Sequence, residues 1–176
     1  FKLINFENIY LVNSQPYENV VFRNKTDLKR KKIFIDGNYK HGDILKNLKG
    51  EINLYTLKEE YFKRLKKTLL LFKEKFKEPI QICLHPTSSM KEYKEYFSEF
   101  EVIKNKTEEG ILNASLVLFH ESSAVTTAII LKKDIINLET DIFGDYIKRR
   151  SKWYQKELNL YSVNIDNITE LPKEKI

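Results

Sequence analysis

The sequence predicts an α/β fold, a doubly wound and mainly parallel sheet, from two observations. Short apolar runs bounded by turn residues recur through the second half of the chain: Ile80 to Leu84, Phe100 to Ile103, Leu116 to Phe119 and Asp134 to Leu138. Between them lie stretches of helical spacing joined by short links, and such an alternation closes with parallel strands and right-handed crossovers.

Taken in order, Asn8-Ile9-Tyr10-Leu11-Val12 reads as a strand, and Lys32 to Gly37 as another that ends in a turn. From Leu57 to Lys77, the residues Leu57, Tyr61, Leu65, Thr68, Leu69, Phe72 and Phe76 form one stripe among Lys and Glu. That spacing predicts a long amphipathic helix lying on a flat apolar surface, and Pro79 marks its end. Met90 to Phe97 reads as a short helix. Thr107 to Ala114 reads as another, with Glu108 and Glu109 in its first turn, where acids favour the helix dipole. Ser123 to Leu131 and Asp145 to Leu158 are the remaining predicted helices, and Tyr161 to Ile165 closes the pattern as a strand. Residues 1–31 are less regular and are expected to be the remnant of a preceding domain or a connector, with one ligand-binding domain over 32–176. Because the chain starts at Phe1 rather than Met, a longer protein is expected.

Composition narrows the class. A chain of 176 residues with 41% hydrophobic and 12% aromatic content can bury one ordinary core. The single cysteine, Cys83, falls inside a predicted buried strand without a partner, which suits a reducing compartment and an inert thiol. No apolar segment reaches the ~18 to 20 residues that span a bilayer, and no secretory leader pattern is present, so a soluble, cytoplasmic protein is expected. The net charge of +6 is concentrated in Lys-rich blocks such as Lys29-Arg30-Lys31-Lys32 and Lys63-Arg64-Leu65-Lys66-Lys67. Runs of this kind are ordinarily solvated helix faces. They also suit peripheral contact with an anionic inner membrane or an acidic acceptor. Nucleic acid is not an expected partner, because no helix-turn-helix, zinc-finger or RNA-recognition signature accompanies the charge.

The chemistry-bearing residues gather at predicted strand ends. His85-Pro86 follows the run Ile80 to Leu84, and His120-Glu121-Ser122-Ser123 follows Leu116 to Phe119. A residue before proline is held extended, so the His85 imidazole is aimed away from the sheet edge, where it can bond a phosphate and stabilise a leaving group. Hydroxyls of Ser122 and Ser123 at a helix start combine with backbone N–H groups to suit the same anion; simple N-capping is the plainer role. His120 reads either as a second donor or as a histidine packed at the strand end. Thr107 and Glu108 can cap a helix or position a ribose or base. Asp36, followed by His41-Gly42-Asp43, offers a carboxylate and an imidazole as a base or as contacts to a sugar or acceptor. A metal set of Asp36, His41 and Asp43 lacks both a tight ligand motif and a Cys/His cluster, so a metal-independent site without a cofactor is expected. Neither G-x-G-x-x-G nor G-x-x-x-x-G-K-[ST] occurs.

His85-Pro86, Ser122-Ser123 and the run Ala124 to Leu138 together resemble the carboxyl-terminal donor domain of GT-B glycosyltransferases, with its Rossmann-like sheet. Within that group the His-Pro and Ser-Ser pair is similar to bacterial sialyltransferases and to Kdo-transferring and other capsule or lipopolysaccharide enzymes. The wider pattern from Ile33 to Leu138, with Asp36, His41, Asp43, Tyr61, Thr107-Glu108 and His120-Glu121 beside these pairs, is similar to bacterial surface-polysaccharide proteins. The resemblance implies that His85, Ser122 and Ser123 are ligands of the donor phosphate, with a CMP-sugar such as CMP-sialic acid favoured as donor and a glycan or lipid-linked molecule as acceptor. Bacterial sialyltransferases carry an acidic-acidic-Gly motif with the general base, whereas Ile35-Asp36-Gly37 has one acid. Asp36 is thus the expected base, unless a domain outside this chain provides it. The alternatives are a sugar-nucleotide epimerase or polyol-phosphate transferase on the same architecture, or a non-catalytic nucleotide-binding domain.

Overall fold

The computed structural model describes residues 31–48, 50 and 52–171. The strand expected at Asn8 to Val12 lies outside the described residues, as does nearly all of the 1–31 segment. The described chain is α/β: a six-stranded, all-parallel sheet flanked by helices in a Rossmann-like doubly wound arrangement. Its elements are β1 (Lys31–Ile35), α1 (Gly42–Asn47), α2 (Leu54–Phe76), β2 (Ile80–Leu84), α3 (Met90–Tyr96), β3 (Glu101–Lys104), α4 (Thr107–Leu112), β4 (Ala114–Phe119), α5 (Val125–Ile130), β5 (Asp134–Glu139), α6 (Gly144–Leu158) and β6 (Tyr161–Asn164).

The strand order is β3-β2-β1-β4-β5-β6. The chain builds outward from β1 in one direction, then crosses back through α4 to start again on the other side at β4. A switch point therefore lies between the carboxyl ends of β1 and β4, which are hydrogen-bonded neighbours from Lys32↔Leu116 to Ile35↔Phe119. At such a point the loops leaving the two strands run to opposite faces and open a crevice.

Alternation along the strands divides the core in two. Phe34, Ile82, Leu116, Leu118 and Leu138 face the side covered by α2 and α3, where Phe62, Leu65, Leu69, Phe72 and Tyr93 are fully buried. Ile33, Ile35, Val117 and Phe119 face α4 and α5, against Ile111, Val125 and Ala128, with Tyr154 of α6. The α2 stripe read from the sequence is the buried face of that helix, which ends where Lys77 takes a left-handed conformation (φ 53°) two residues before Pro79.

Cys83 is on the second face. A Cβ on Gly110 of α4 would sit 2.8 Å from its Sγ, so the missing side chain lets the helix lie directly on β2. Burial pushes the thiol up to about 12, which keeps it neutral and inert. No helix of the described residues is long and apolar enough to cross a membrane.

Candidate functional site

The residues after β1 set the site. Asp36 is 1% exposed, and its carboxylate accepts four hydrogen bonds. Oδ1 takes the Asn38 N–H (2.9 Å) and the Tyr93 hydroxyl (2.8 Å); Oδ2 takes the His85 N–H (3.2 Å) and the Ser88 hydroxyl (2.5 Å). One side chain thereby ties the β1 turn, the His-Pro loop and α3 together. Tyr93 is suited to donate, since burial and then the Asp36 charge hold its phenol well above the usual value. Asp36, expected as the base, is almost unexposed, and its carboxylate is held by these four donors.

Asn38 carries the turn onward. It is left-handed (φ 61°), its side-chain oxygen accepts the Lys40 N–H at 3.0 Å, and its carbonyl accepts the His41 N–H at 2.8 Å. Its Nδ2 donates to Thr87 Oγ1 at 2.7 Å, so one amide steadies both histidine-bearing loops. The His41-Gly42-Asp43 stretch contains the N-cap and first turn of α1: the His41 ring accepts the Asp43 N–H at 3.3 Å.

His41 and His85 meet edge to face, with ring centroids 5.9 Å apart. His85 Nδ1 accepts the Thr87 N–H at 3.2 Å and lies 2.8 Å from the Thr87 hydroxyl. Both rings use Nδ1 as an acceptor, so in each neutral imidazole the proton sits on Nε2, which remains as a donor. These rings line one cleft of ≈ 230 Å³ at the switch point, together with Gly37, Asp43, Glu121, Ser122, Ser123 and Tyr146. The structure thus gathers five of the sequence-predicted site residues, His41, Asp43, His85, Ser122 and Ser123, in one place. Among the described residues, no group of three His, Cys, Asp or Glu side chains is arranged to hold a metal ion.

Gly37 makes the cleft possible. A Cβ there would lie 2.2 Å from the carbonyl oxygen of Glu121, a backbone atom that cannot swing aside. Gly37→Ala is expected to force the β1 and β4 loops apart, destabilising the protein by about 2 kcal/mol as an overpacked site. Thermal melting measures that cost; an unchanged melting temperature would show that the loops part freely.

The remaining expectations fare differently. The helix expected from Ser123 begins at Val125, with Ala124 at its cap position, and Ser122 Oγ accepts the Ala124 N–H at 3.3 Å. At six residues α5 offers little dipole, so the hydroxyls are the stronger anion-binding feature. The helix at Thr107 has no side-chain cap bond. Thr107 and Glu108 follow β3, on the far side of β2 from the cleft, which they do not line.

His120 is not on the cleft either. It is 3% exposed, packed against Phe34, Tyr61 and Phe143, and its Nδ1 donates to the Leu138 carbonyl at 2.5 Å. Nε2 is buried without a hydrogen-bond partner among the described residues. Burial lowers its pKa to about 4, outweighing the Leu138 bond and the Asp166 charge.

Sequence reasoning missed the supports of the site. Asn38, Thr87, Ser88 and Tyr93 gave no motif, although Asp36-Gly37-Asn38 has turn chemistry. The clamp of Arg150 on Glu121 (2.8 Å to Oε1, 3.1 Å to Oε2) joins residues far apart in sequence and left no trace. No protein-family model matches the chain, and no curated protein matches it.

Proposed function

We propose that this chain is the donor-binding part of a GT-B type glycosyltransferase that builds a bacterial surface polysaccharide from a CMP-sugar, CMP-sialic acid or a relative. One observation carries the reading: His41 and His85, each with an Nε2 left to donate, line a single cleft with Ser122 and Ser123 at the switch point of a parallel sheet. Phosphate is the ligand that such a donor set suits. In this reading His85 and the serines hold the donor phosphate, and His85 stabilises it as it leaves. The cleft's ≈ 230 Å³ is below the roughly 300–1,000 Å³ of complete small-molecule sites, which fits half of a two-domain site. The enzyme would work in the cytoplasm, at the inner face of the membrane.

Titration of CMP, CDP and UDP against the whole chain tests this. CMP is expected to raise the melting temperature most, and His85→Ala to weaken CMP by about ten- to a hundredfold, the worth of a hydrogen bond to a charged group. Silence with all three nucleotides would end the phosphate reading; preference for UDP would end the sialyl-like version.

A non-catalytic nucleotide-binding domain is the second reading, and the commitment of Asp36 to its four donors favours it. Of the cleft carboxylates Glu121 is clamped by Arg150, while Asp43 has, among the described residues, only the His41 ring, 3.8 Å away. If catalysis draws a base from this chain, Asp43 supplies it. Donor hydrolysis by the longer protein, compared between wild type and Asp43→Asn, separates the two readings.

A further inference from the structure

Beside the cleft a larger groove of ≈ 670 Å³ runs between α5 and α6 and shares Ser122, Ser123 and Tyr146 with it. Its lining includes the apolar Val125, Ile129 and Leu158, with Trp153 and Arg149 from α6. Trp153 is 50% exposed. Along α6 the buried residues are Ile147, Ser151 and Tyr154, while Arg149, Lys152, Trp153 and Lys156 are all exposed. Their spacing of i, i+3, i+4 and i+7 sets them in one stripe. The helix carries five basic residues, Lys148, Arg149, Arg150, Lys152 and Lys156, against two acids, Asp145 and Glu157. Lys148 is paired with Asp141, Arg150 with Glu121 and Lys156 with its neighbour Glu157. Arg149 and Lys152 have no carboxylate partner among the described residues.

We propose that this stripe and groove of α6 form a docking surface for an anionic phospholipid bilayer. An indole half out of the protein, set between unpaired cations and above an apolar groove, is the arrangement by which a helix lies in a headgroup layer: the ring enters the interface and the cations meet the phosphates. Either signal alone binds weakly; basic charge and an apolar insert together bind stably. A nucleic acid would engage the charges but leaves the indole and the groove floor without a role. Docking here would set the cleft beside the membrane, because the groove opens into it at Ser122 and Ser123. The proposal stands whether or not the cleft takes a nucleotide.

Trp153 is the only tryptophan of the chain, so its fluorescence reads this surface and nothing else. Vesicles of phosphatidylcholine with phosphatidylglycerol are expected to shift its emission to the blue and shield it from acrylamide. High salt should reverse the effect, and vesicles of phosphatidylcholine alone should do little. Arg149→Glu with Lys152→Glu, both on the exposed face, should weaken co-sedimentation with the anionic vesicles by about tenfold or more while the melting temperature stays as in wild type. No blue shift with anionic vesicles would overturn the proposal. So would an equal shift with inorganic phosphate, with a DNA duplex or with neutral vesicles, which would mark a small-anion, polyanion or purely apolar site. Saturating CMP leaves this test readable, so failure of either reading does not decide the other.

Discussion

Replacing Asp36 by alanine is expected to cost about 3–5 kcal/mol of folding stability, a large part of what a domain this size possesses. The change strands four donors at once: the Asn38 and His85 N–H groups and the Ser88 and Tyr93 hydroxyls. Asp36→Asn is the sharper experiment. Each carboxylate oxygen accepts one backbone N–H, Asn38 at Oδ1 and His85 at Oδ2. Whichever way an amide is turned, its NH₂ group faces one of them, donor to donor. A cost of about 2 kcal/mol is expected, and it cannot be relieved by a flip. Tyr93→Phe, which leaves three of the four bonds, should cost about 1 kcal/mol. Urea denaturation gives all three values, and the ranking Ala, then Asn, then Phe is the expected signature. If Asp36→Asn were as stable as wild type, the carboxylate would not be the anchor of the His85 loop.

Acid should weaken the fold through His120. An unfolded histidine takes up its proton near 6.5, whereas the buried ring does so only near 4. Between those values the unfolded chain binds more protons than the native one, so stability rises with pH across that window and falls as pH drops through it. The contribution is fully present above about 6.5 and lost below about 4. At about 1.4 kcal/mol for each pH step, the interval is worth about 3 kcal/mol. The cause is local. Nδ1 is held by the Leu138 carbonyl, so an added proton must go to Nε2, which faces no acceptor among Phe34, Tyr61 and Phe143. His120→Phe should flatten the pH dependence between 4 and 6.5. Asp166 does not confuse the window. Burial alone would raise its pKa, but bonds from the Thr140 hydroxyl, the Asp141 N–H and Arg64 hold it below the usual aspartate value. Its contribution is therefore lost at still lower pH. A wild-type stability that stays level from pH 7 to 4 would show that His120 is hydrated or mobile.

Much of this architecture was legible because local pattern and global fold agree. The run Ile80–Leu84 is a strand within the same limits, since its apolar residues are buried on both faces of a parallel sheet. The α2 stripe was readable because one face of a long helix must meet the sheet. Helix α1 was missed: six residues with one buried side chain, Ile44, carry no period to detect. Capping was one of two roles open to Thr107 and to Ser122-Ser123; no side-chain cap bond opens α4, and at α5 the Ser122 hydroxyl accepts the N–H of Ala124 just before the helix.

By itself the sequence determined the alternation of strands and helices and the strand ends at which His85, Ser122 and Ser123 stand, because both follow from spacing along the chain. It also marked Cys83 as a core thiol. Only the tertiary structure decided which of those ends are neighbours, through the crossover that sets β4 beside β1 and brings His41, Asp43, His85 and the serines to one cleft. It likewise committed the Asp36 carboxylate to four donors and, of the two readings of His120, favoured the histidine packed at the strand end. The pKa and partners of an ionisable group depend on what burial places around it, and those neighbours, Tyr93 for one and Phe143 for the other, lie 57 and 23 residues away in the chain.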